Sequence, residues 1–362
     1  MSRRQSGSRD RATLALIGLS VLAGALISGR ALGGRSRPGV AKLDAGKVKD
    51  RGRLAQRPAE IPPRGLRDVF WRVIDSLSTD RVTLVAAGVT FYLLLAFFPG
   101  LAATVSLYGL LADPTDISQH VQAMASVLPG EAYGVFSDQL HLLIQSRQSA
   151  LGAAFLVGLV VALWSAHNGT LAMFDAMNVA YDEVEKRGFV RLNVIALAFT
   201  FGAMLAALAV IAALGILPIA LSYVWLDPLK ENLALFARWP FLLLLMFAAS
   251  TAIYRLGPSR EPAKVRWLTW GAALSTFAWL VMTLGFSWYL DNVADYEATY
   301  GALGGLVGVL IWMWLSVLII LVGAELNAEL EHQTVCDSTT GQPLPLGDRG
   351  AFVADHIGKP VP

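Results

Sequence analysis

Residues 298–324 read ATYGALGGLVGVLIWMWLSVLIILVGA, an unbroken run without Asp, Glu, Lys or Arg. Roughly 20 mainly apolar residues suffice for a helix to cross the hydrocarbon of a bilayer, and this run is long enough. The same signature recurs at Val82–Ala112, Gln148–Phe174, Leu192–Leu226, Trp239–Tyr254 and Trp267–Leu290. Trp239–Tyr254 is short, but Arg238 and Arg255 can snorkel to opposite interfaces and lengthen it. Leu192–Leu226 is over-long, and Pro218 is expected to end its helix near the lipid–water boundary. Pro99 is expected to kink or break the helix of Val82–Ala112, with neighbouring helices compensating. The expected fold is all-α, a polytopic transmembrane bundle of six core helices.

Composition agrees. Of 362 residues 55% are hydrophobic and only 15% charged, and the mean hydropathy is +0.54; a soluble domain carries about a quarter charged residues. The single cysteine, Cys336, excludes an intramolecular disulfide framework and any Cys-based zinc site. The five histidines, His120, His141, His167, His332 and His356, show no His-x-x-x-His or comparable ligand spacing. No metal, cofactor or catalytic residue is therefore expected.

Orientation follows from the Lys/Arg bias of the short loops. Thirteen basic residues lie between Arg30 and Arg81, whereas the next loop, Asp113–Arg147, holds only Arg147. Lys186, Arg187 and Arg191 return to the first side, as do Arg255, Arg260, Lys264 and Arg266, while Asp291–Glu297 has no basic residue. The alternation places the basic linker and the C-terminus in the cytoplasm.

Four regions result. Residues 1–29 form a basic tail and the apolar segment Ala12–Gly29, which reads as an extra N-terminal membrane helix, a hairpin or interfacial segment, or a signal-like segment, in that order. Residues 30–65, rich in Gly, Pro and basic side chains, read as a disordered linker that either retains this end inside or binds anionic headgroups. Residues 66–331 form the membrane domain, beginning with an amphipathic interfacial helix whose stripe is Leu66, Val69, Phe70, Val73, Ile74 and Leu77. Residues 332–362 read as a loosely ordered cytoplasmic tail. The outer loop carries two further stripes, from Ile117 to Leu128 and from Phe136 to Ile144, on either side of Pro129-Gly130.

Within the second core helix Asn168, Asp175, Asn178 and Asp182 recur at helical spacing, with Trp164 on the same face and Tyr181 beside it. An uncompensated charge at membrane depth is costly, so this face is expected to point into the bundle or a wet cavity, or else to cap the loop at the inner boundary. Gly301, Gly304, Gly305 and Gly308 make two overlapping small-xxx-small patterns, expected to let another helix approach closely. Glu325 and Glu329 lie one turn apart near the inner boundary and are expected to pair with Arg255 or Arg266. With Ser259 and Asn327 they mark a polar cluster at the cytoplasmic end.

These stretches resemble the YihY/BrkB family of bacterial inner-membrane proteins, once named after a ribonuclease. The resemblance rests on Ala86-Ala87-Gly88-Val89-Thr90-Phe91-Tyr92 with Phe98-Pro99, and on Trp164-Ser165-Ala166 with Asn178-Val179-Ala180-Tyr181. It continues through Tyr254-Arg255 with Pro258-Ser259, Tyr300-Gly301-Ala302-Leu303-Gly304-Gly305, and Gly323-Ala324-Glu325-Leu326-Asn327-Ala328. It covers about Leu66–Glu331 and implies a six-helix core with both ends cytoplasmic. It further implies an envelope role, linked in the family to serum resistance and envelope integrity, with export of lipids or lipopolysaccharide precursors proposed for some members. Two departures stand out. Relatives often have a serine before the proline of the first core helix, where this chain has Ala96-Phe97-Phe98-Pro99, and Ala12–Gly29 lies outside the common core.

The expected function is a transporter or flippase of a lipid or other anionic amphiphile, with membrane lipids, envelope proteins or a second copy as partners. No P-loop is present, so transport would draw on a gradient, a partner or downhill flow. The alternative is a non-transporting scaffold for envelope partners. A ribonuclease is least favoured, since nucleic-acid work needs a basic, folded, soluble surface with catalytic ligands. No enzymatic activity and no nucleic-acid partner are expected.

Overall fold

The computed structural model describes residues 50–111, 148–211, 213, 228–293 and 304–361. Ala12–Gly29, the two outer-loop stripes, Pro218, Tyr300 and Gly301 lie outside the described residues. A shorter helix, α1 (Pro63–Thr79), precedes six long helices: α2 (Val82–Leu111), α3 (Gln148–Ala180), α4 (Phe189–Ile211), α5 (Pro228–Leu256), α6 (Val265–Asn292) and α7 (Gly304–Glu331). A short α8 (Phe352–Asp355) follows in the C-terminal segment. The described residues hold no β-strand, only an isolated antiparallel bridge between Ala263 and Thr339. Each of α2–α7 contains a stretch long and apolar enough to cross a bilayer. The chain is a multi-pass membrane protein.

Lipid explains what these helices expose. Val160, Leu205 and Phe277 are each at least 65% accessible, an arrangement that water would penalise and hydrocarbon does not. Buried residues concentrate instead toward one end. There Val89 of α2, Phe174 and Met177 of α3, Tyr254 of α5, Leu268 of α6 and Leu321 of α7 share one apolar core. Helix α2 packs along α3 and α6 along α7, while α7 also meets α1, α2 and α3 and so occupies the centre. Pro99 does not break its helix: α2 continues from Val82 to Leu111.

Gly301 of the glycine pattern lies outside the described residues, and the described helices show a close approach at another pair of glycines. Gly304 and Gly308 are buried in α7, but a methyl group added at Gly308 would meet only Leu290 Cδ2, at 4.0 Å. Gly271 of α6 and Gly323 of α7 are the tight pair. A Cβ at Gly271 would collide with the Gly323 carbonyl and the Asn327 side chain, and one at Gly323 with Ser275 Oγ, the Tyr254 hydroxyl and the Gly271 carbonyl. Polar groups close this crossing. Tyr254 Oη lies 2.7 Å from Ser275 Oγ and donates to the Ile320 carbonyl at 2.8 Å. The Gly271 amide donates to Asn327 Oδ1 at 2.8 Å.

The described parts of the two segments expected to be loose, residues 50–65 and 332–361, are folded together at the end where the core lies. Arg53, only 4% exposed, reaches from the end of the supposed linker to the carbonyls of His332, Gln333 and Gly358. Val335 in turn donates its amide to the Arg53 carbonyl, and the Thr334 hydroxyl to that of Ala55. Arg349 holds the C-terminal segment in a closed loop, donating to the carbonyls of Val335, Leu344 and Ala354. Ala55 and Ile61 then pack with Val69 and Val73 of α1, Trp267 of α6 and Leu330 of α7 in a second small core. Guanidinium groups satisfying several carbonyls at once replace the regular backbone ladders these segments lack. The result is a cap over one end of the bundle.

Helix α1 divides its apolar stripe. Val69 and Val73 face the cap, whereas Phe70, Trp71 and Ile74 are exposed at 56, 50 and 45%. Gly65, Asp68, Val69, Arg72 and Val73 recur at helical spacing on the inward side, with Asp68 bound to Arg51 at 2.6 Å.

Candidate functional site

The expected polar face of α3 is not continuous. Trp164 is 65% exposed and Asp175 is also exposed, Asn168 is half-buried, and Asn178 and Tyr181 are buried. Asn178 fastens the loops at the capped end. Its Oδ1 accepts the Ser259 amide at 2.7 Å, and its Nδ2 donates to Glu185 at 3.2 Å. Ser259, the second member of the expected polar cluster, accepts the Lys186 amide at 2.8 Å.

Glu185 is the centre of that loop. Arg187 gives it one guanidinium edge, through Nε and Nη2, and its backbone amide, and continues to the carbonyls of Leu256 and Gly257 at the end of α5. Burial disfavours the charged carboxylate, but the hydrogen bonds from Arg187, then from Asn178 and Ser259, outweigh it and hold Glu185 down to about 2 from 4.5. A depressed value means that the stabilisation is full above the unfolded-state value and is lost as pH falls from 4.5 toward about 2. Thermal unfolding of the detergent-solubilised protein is expected to drop across this window in wild type. Glu185→Gln flattens that drop and costs about 1.5–3 kcal/mol at neutral pH; parallel pH profiles in the two proteins would contradict the assignment.

Beneath this loop, Arg260 and Glu331 form an ion pair whose side chains are 1 and 0% exposed. Glu331 accepts two guanidinium nitrogens, at 2.7 and 3.2 Å, and the Ser338 hydroxyl at 2.6 Å. The guanidinium lies over the Tyr181 ring, 5.1–5.2 Å being the spacing of both such stacks on α3 and its end. Burial alone would lower the Arg260 value, but the Glu331 carboxylate raises it overall. Burial, reinforced by Glu331, likewise pushes the Tyr181 phenol up.

Neither Arg255 nor Arg266 takes the carboxylates of α7. Glu329 pairs with Arg72 of α1, whose Nε and a terminal nitrogen reach its side chain and carbonyl, and with His332 at 3.6 Å. Glu325 is 2% exposed and its Oε1 has no hydrogen-bond partner. Asn327, fully buried, joins α7 to α6 as described. Arg72, Arg260 and Glu331 escaped sequence reasoning because their partners lie far away along the chain. The inward spacing of Gly65, Asp68, Val69, Arg72 and Val73 was the legible signal for Arg72.

Arg72 and Glu329 also form the floor of a groove of about 760 Å³ between α1, the end of α7 and the C-terminal segment. One side presents Trp71 and Ile74 of α1, and the other His332, Phe352, His356 and Lys359. Phe352 stacks on His356 with ring centroids 4.1 Å apart. The His356 Nδ1, 2.9 Å from the Phe352 carbonyl, must carry the proton there, because a carbonyl only accepts. The α1 side also carries Asp75 and Ser78, and the facing side Ile357, Pro360 and Val361, so apolar and polar side chains are mixed on both sides of the groove. Among the described residues no group of three or more His, Cys, Asp or Glu is placed to hold a metal ion.

A six-span helical bundle with a folded cap and an amphipathic helix before its first span defines a polytopic α-helical membrane protein. The family described as Virulence factor BrkB matches residues 73–344, and the chain belongs to it. The ribonuclease-like protein YfkH of Bacillus subtilis (strain 168) is 31% identical over 255 residues, 68% of this chain and 90% of that protein. A UPF0761 membrane protein of Vibrio parahaemolyticus is 25% identical over 274 residues, 73% of this chain and 82% of the relative. Another, of Idiomarina loihiensis, is 26% identical over 204 residues, 56 and 66% of the two chains. No solved structure matches.

Proposed function

We propose that this protein moves an amphiphile with an anionic headgroup across the inner membrane of a bacterium, as a transporter or flippase serving envelope integrity, and that it performs no chemistry on its cargo. The observation that carries this is the groove. Its volume, about 760 Å³, lies in the range of small-ligand sites, and its lining combines apolar and polar side chains, as an amphiphile requires. Trp71 and Ile74, exposed beside it, offer a surface suited to the lipid interface, while Lys359 and the two imidazoles supply polar groups. The basic loops put the capped end in the cytoplasm, which would bring the groove to the inner leaflet.

Purified protein reconstituted in liposomes with a headgroup-labelled anionic phospholipid tests this. Wild type is expected to exchange label between leaflets well above protein-free vesicles, and Lys359→Glu with Ile74→Asn to slow exchange about tenfold while remaining folded. Rates equal to empty vesicles would discard the transport reading. Stable envelope partners on crosslinking, without lipid movement, would establish the scaffold in its place.

A further inference from the structure

Three carboxylates crowd the last two turns of α7, and two have cations. Glu329 has Arg72, and Glu331 has Arg260 with Ser338 beside it. Glu325 is buried to 2% exposure, and its Oε1 meets no donor. The charged groups acting on it come from three places: Asp80 after α1, Asp182 after α3, and Glu329 one turn along its own helix. All are acidic. A carboxylate fixed in the charged form would be matched by a cation, as its two neighbours are, because an uncompensated buried charge is strongly unfavourable. A purely structural side chain at this place needs no carboxyl at all, for the surrounding core is built of Leu321, Ala324 and Ala328.

We propose that Glu325 is a proton-binding residue that takes up and releases a proton as the protein works, coupling cargo movement to a proton gradient. This rests on the transport reading above and supplies its energy source. Uptake adds one proton from groove water to a carboxylate oxygen and brings Glu325 from −1 to neutral; release returns it, and no bond to carbon changes. The route is short. Glu329 and His332 line the groove, and residues four apart on a helix stand about 5–6 Å from each other, so Glu325 sits directly behind the groove floor. Rearrangement of the Arg72–Glu329 pair would open or close that path.

Two measurements decide it. In the infrared spectrum of wild-type protein at neutral pH, the carbonyl stretch of a neutral carboxylic acid is expected, shifted in heavy water, and absent from Glu325→Gln. If that variant does not fold, Glu325→Asp is the second reporter, displacing the band rather than removing it. Absence of the band from wild type, or its persistence unaltered in the variants, overturns the proton site. In proteoliposomes with the membrane potential clamped, a difference of one pH unit shifts the transbilayer distribution of labelled lipid about tenfold in wild type, the ratio for one coupled proton. In Glu325→Gln the distribution stays near even. Lipid exchange in wild type that ignores the gradient overturns the coupling. No lipid movement under any condition removes the transport reading, and the infrared band still decides the proton site.

Discussion

Gly323→Val is expected to cost a large share of the folded protein. The added side chain would occupy the space held by Ser275 Oγ, the Tyr254 hydroxyl and the Gly271 carbonyl. None of these can withdraw freely: the Tyr254 hydroxyl donates to the Ile320 carbonyl, the Ser275 hydroxyl has the Tyr254 oxygen at 2.7 Å and the Ile319 carbonyl at 3.1 Å as acceptors, and the Gly271 carbonyl belongs to the α6 backbone. Helices α6 and α7 must therefore separate. Overpacking costs about 1–3 kcal/mol, occasionally more, and each lost intramembrane hydrogen bond adds about 0.6 kcal/mol. The total is on the order of 3–5 kcal/mol, a large part of a typical folding free energy. Size-exclusion profiles and thermal unfolding in detergent would report it as aggregation or a much lower midpoint. Gly308→Ala is the contrasting change, since its nearest obstacle is 4.0 Å away, and it should behave as wild type. Equal midpoints for the two variants would disprove the crossing described here.

The second large effect is expected at the Arg260–Glu331 pair. Glu331→Ala leaves the guanidinium buried over Tyr181 without a counter-charge and frees the Ser338 hydroxyl. Removing one partner of a buried pair costs about 3–5 kcal/mol, whereas replacing both with apolar residues of similar volume is often neutral. Arg260→Met with Glu331→Met is therefore expected to lie closer to wild type than Glu331→Ala does. Because Ser338 belongs to the C-terminal segment, the single variant should also release that segment to limited proteolysis. A double variant as unstable as the sum of its parts would show that the pair acts through something other than mutual charge.

The spans were legible because lipid imposes a requirement any window of sequence can display: length without charge. α7, Gly304–Glu331, contains the described part of the 298–324 run and continues past it to Glu331. The cap was not legible for the opposite reason. It is held by Arg53 and Arg349 donating to carbonyls, and a carbonyl leaves no trace in the side-chain pattern. For α3, spacing placed Trp164, Asn168, Asp175 and Asn178 on one face, but their surroundings change with depth: Trp164 is exposed, while Asn178 is fastened to the α5–α6 turn. The glycines teach the same point, for Gly271 and Gly323 sit on separate helices and only their meeting makes them matter. Glu325 stood out in the sequence as one of a pair with Glu329; that its neighbour would take the arginine and leave it alone depends on Arg72, far away in α1.

The cap also sets a schedule for biosynthesis. Arg53 leaves the ribosome long before the carbonyls it holds, those of His332 and Gln333, which lie 279 and 280 residues later. At about 5–20 residues per second, that interval is tens of seconds, during which α2–α7 must enter the membrane while Arg53 has no native partner. The segment that closes the molecule is therefore made after all six membrane helices, and a chain truncated before Gly358 would leave Arg53 without that carbonyl.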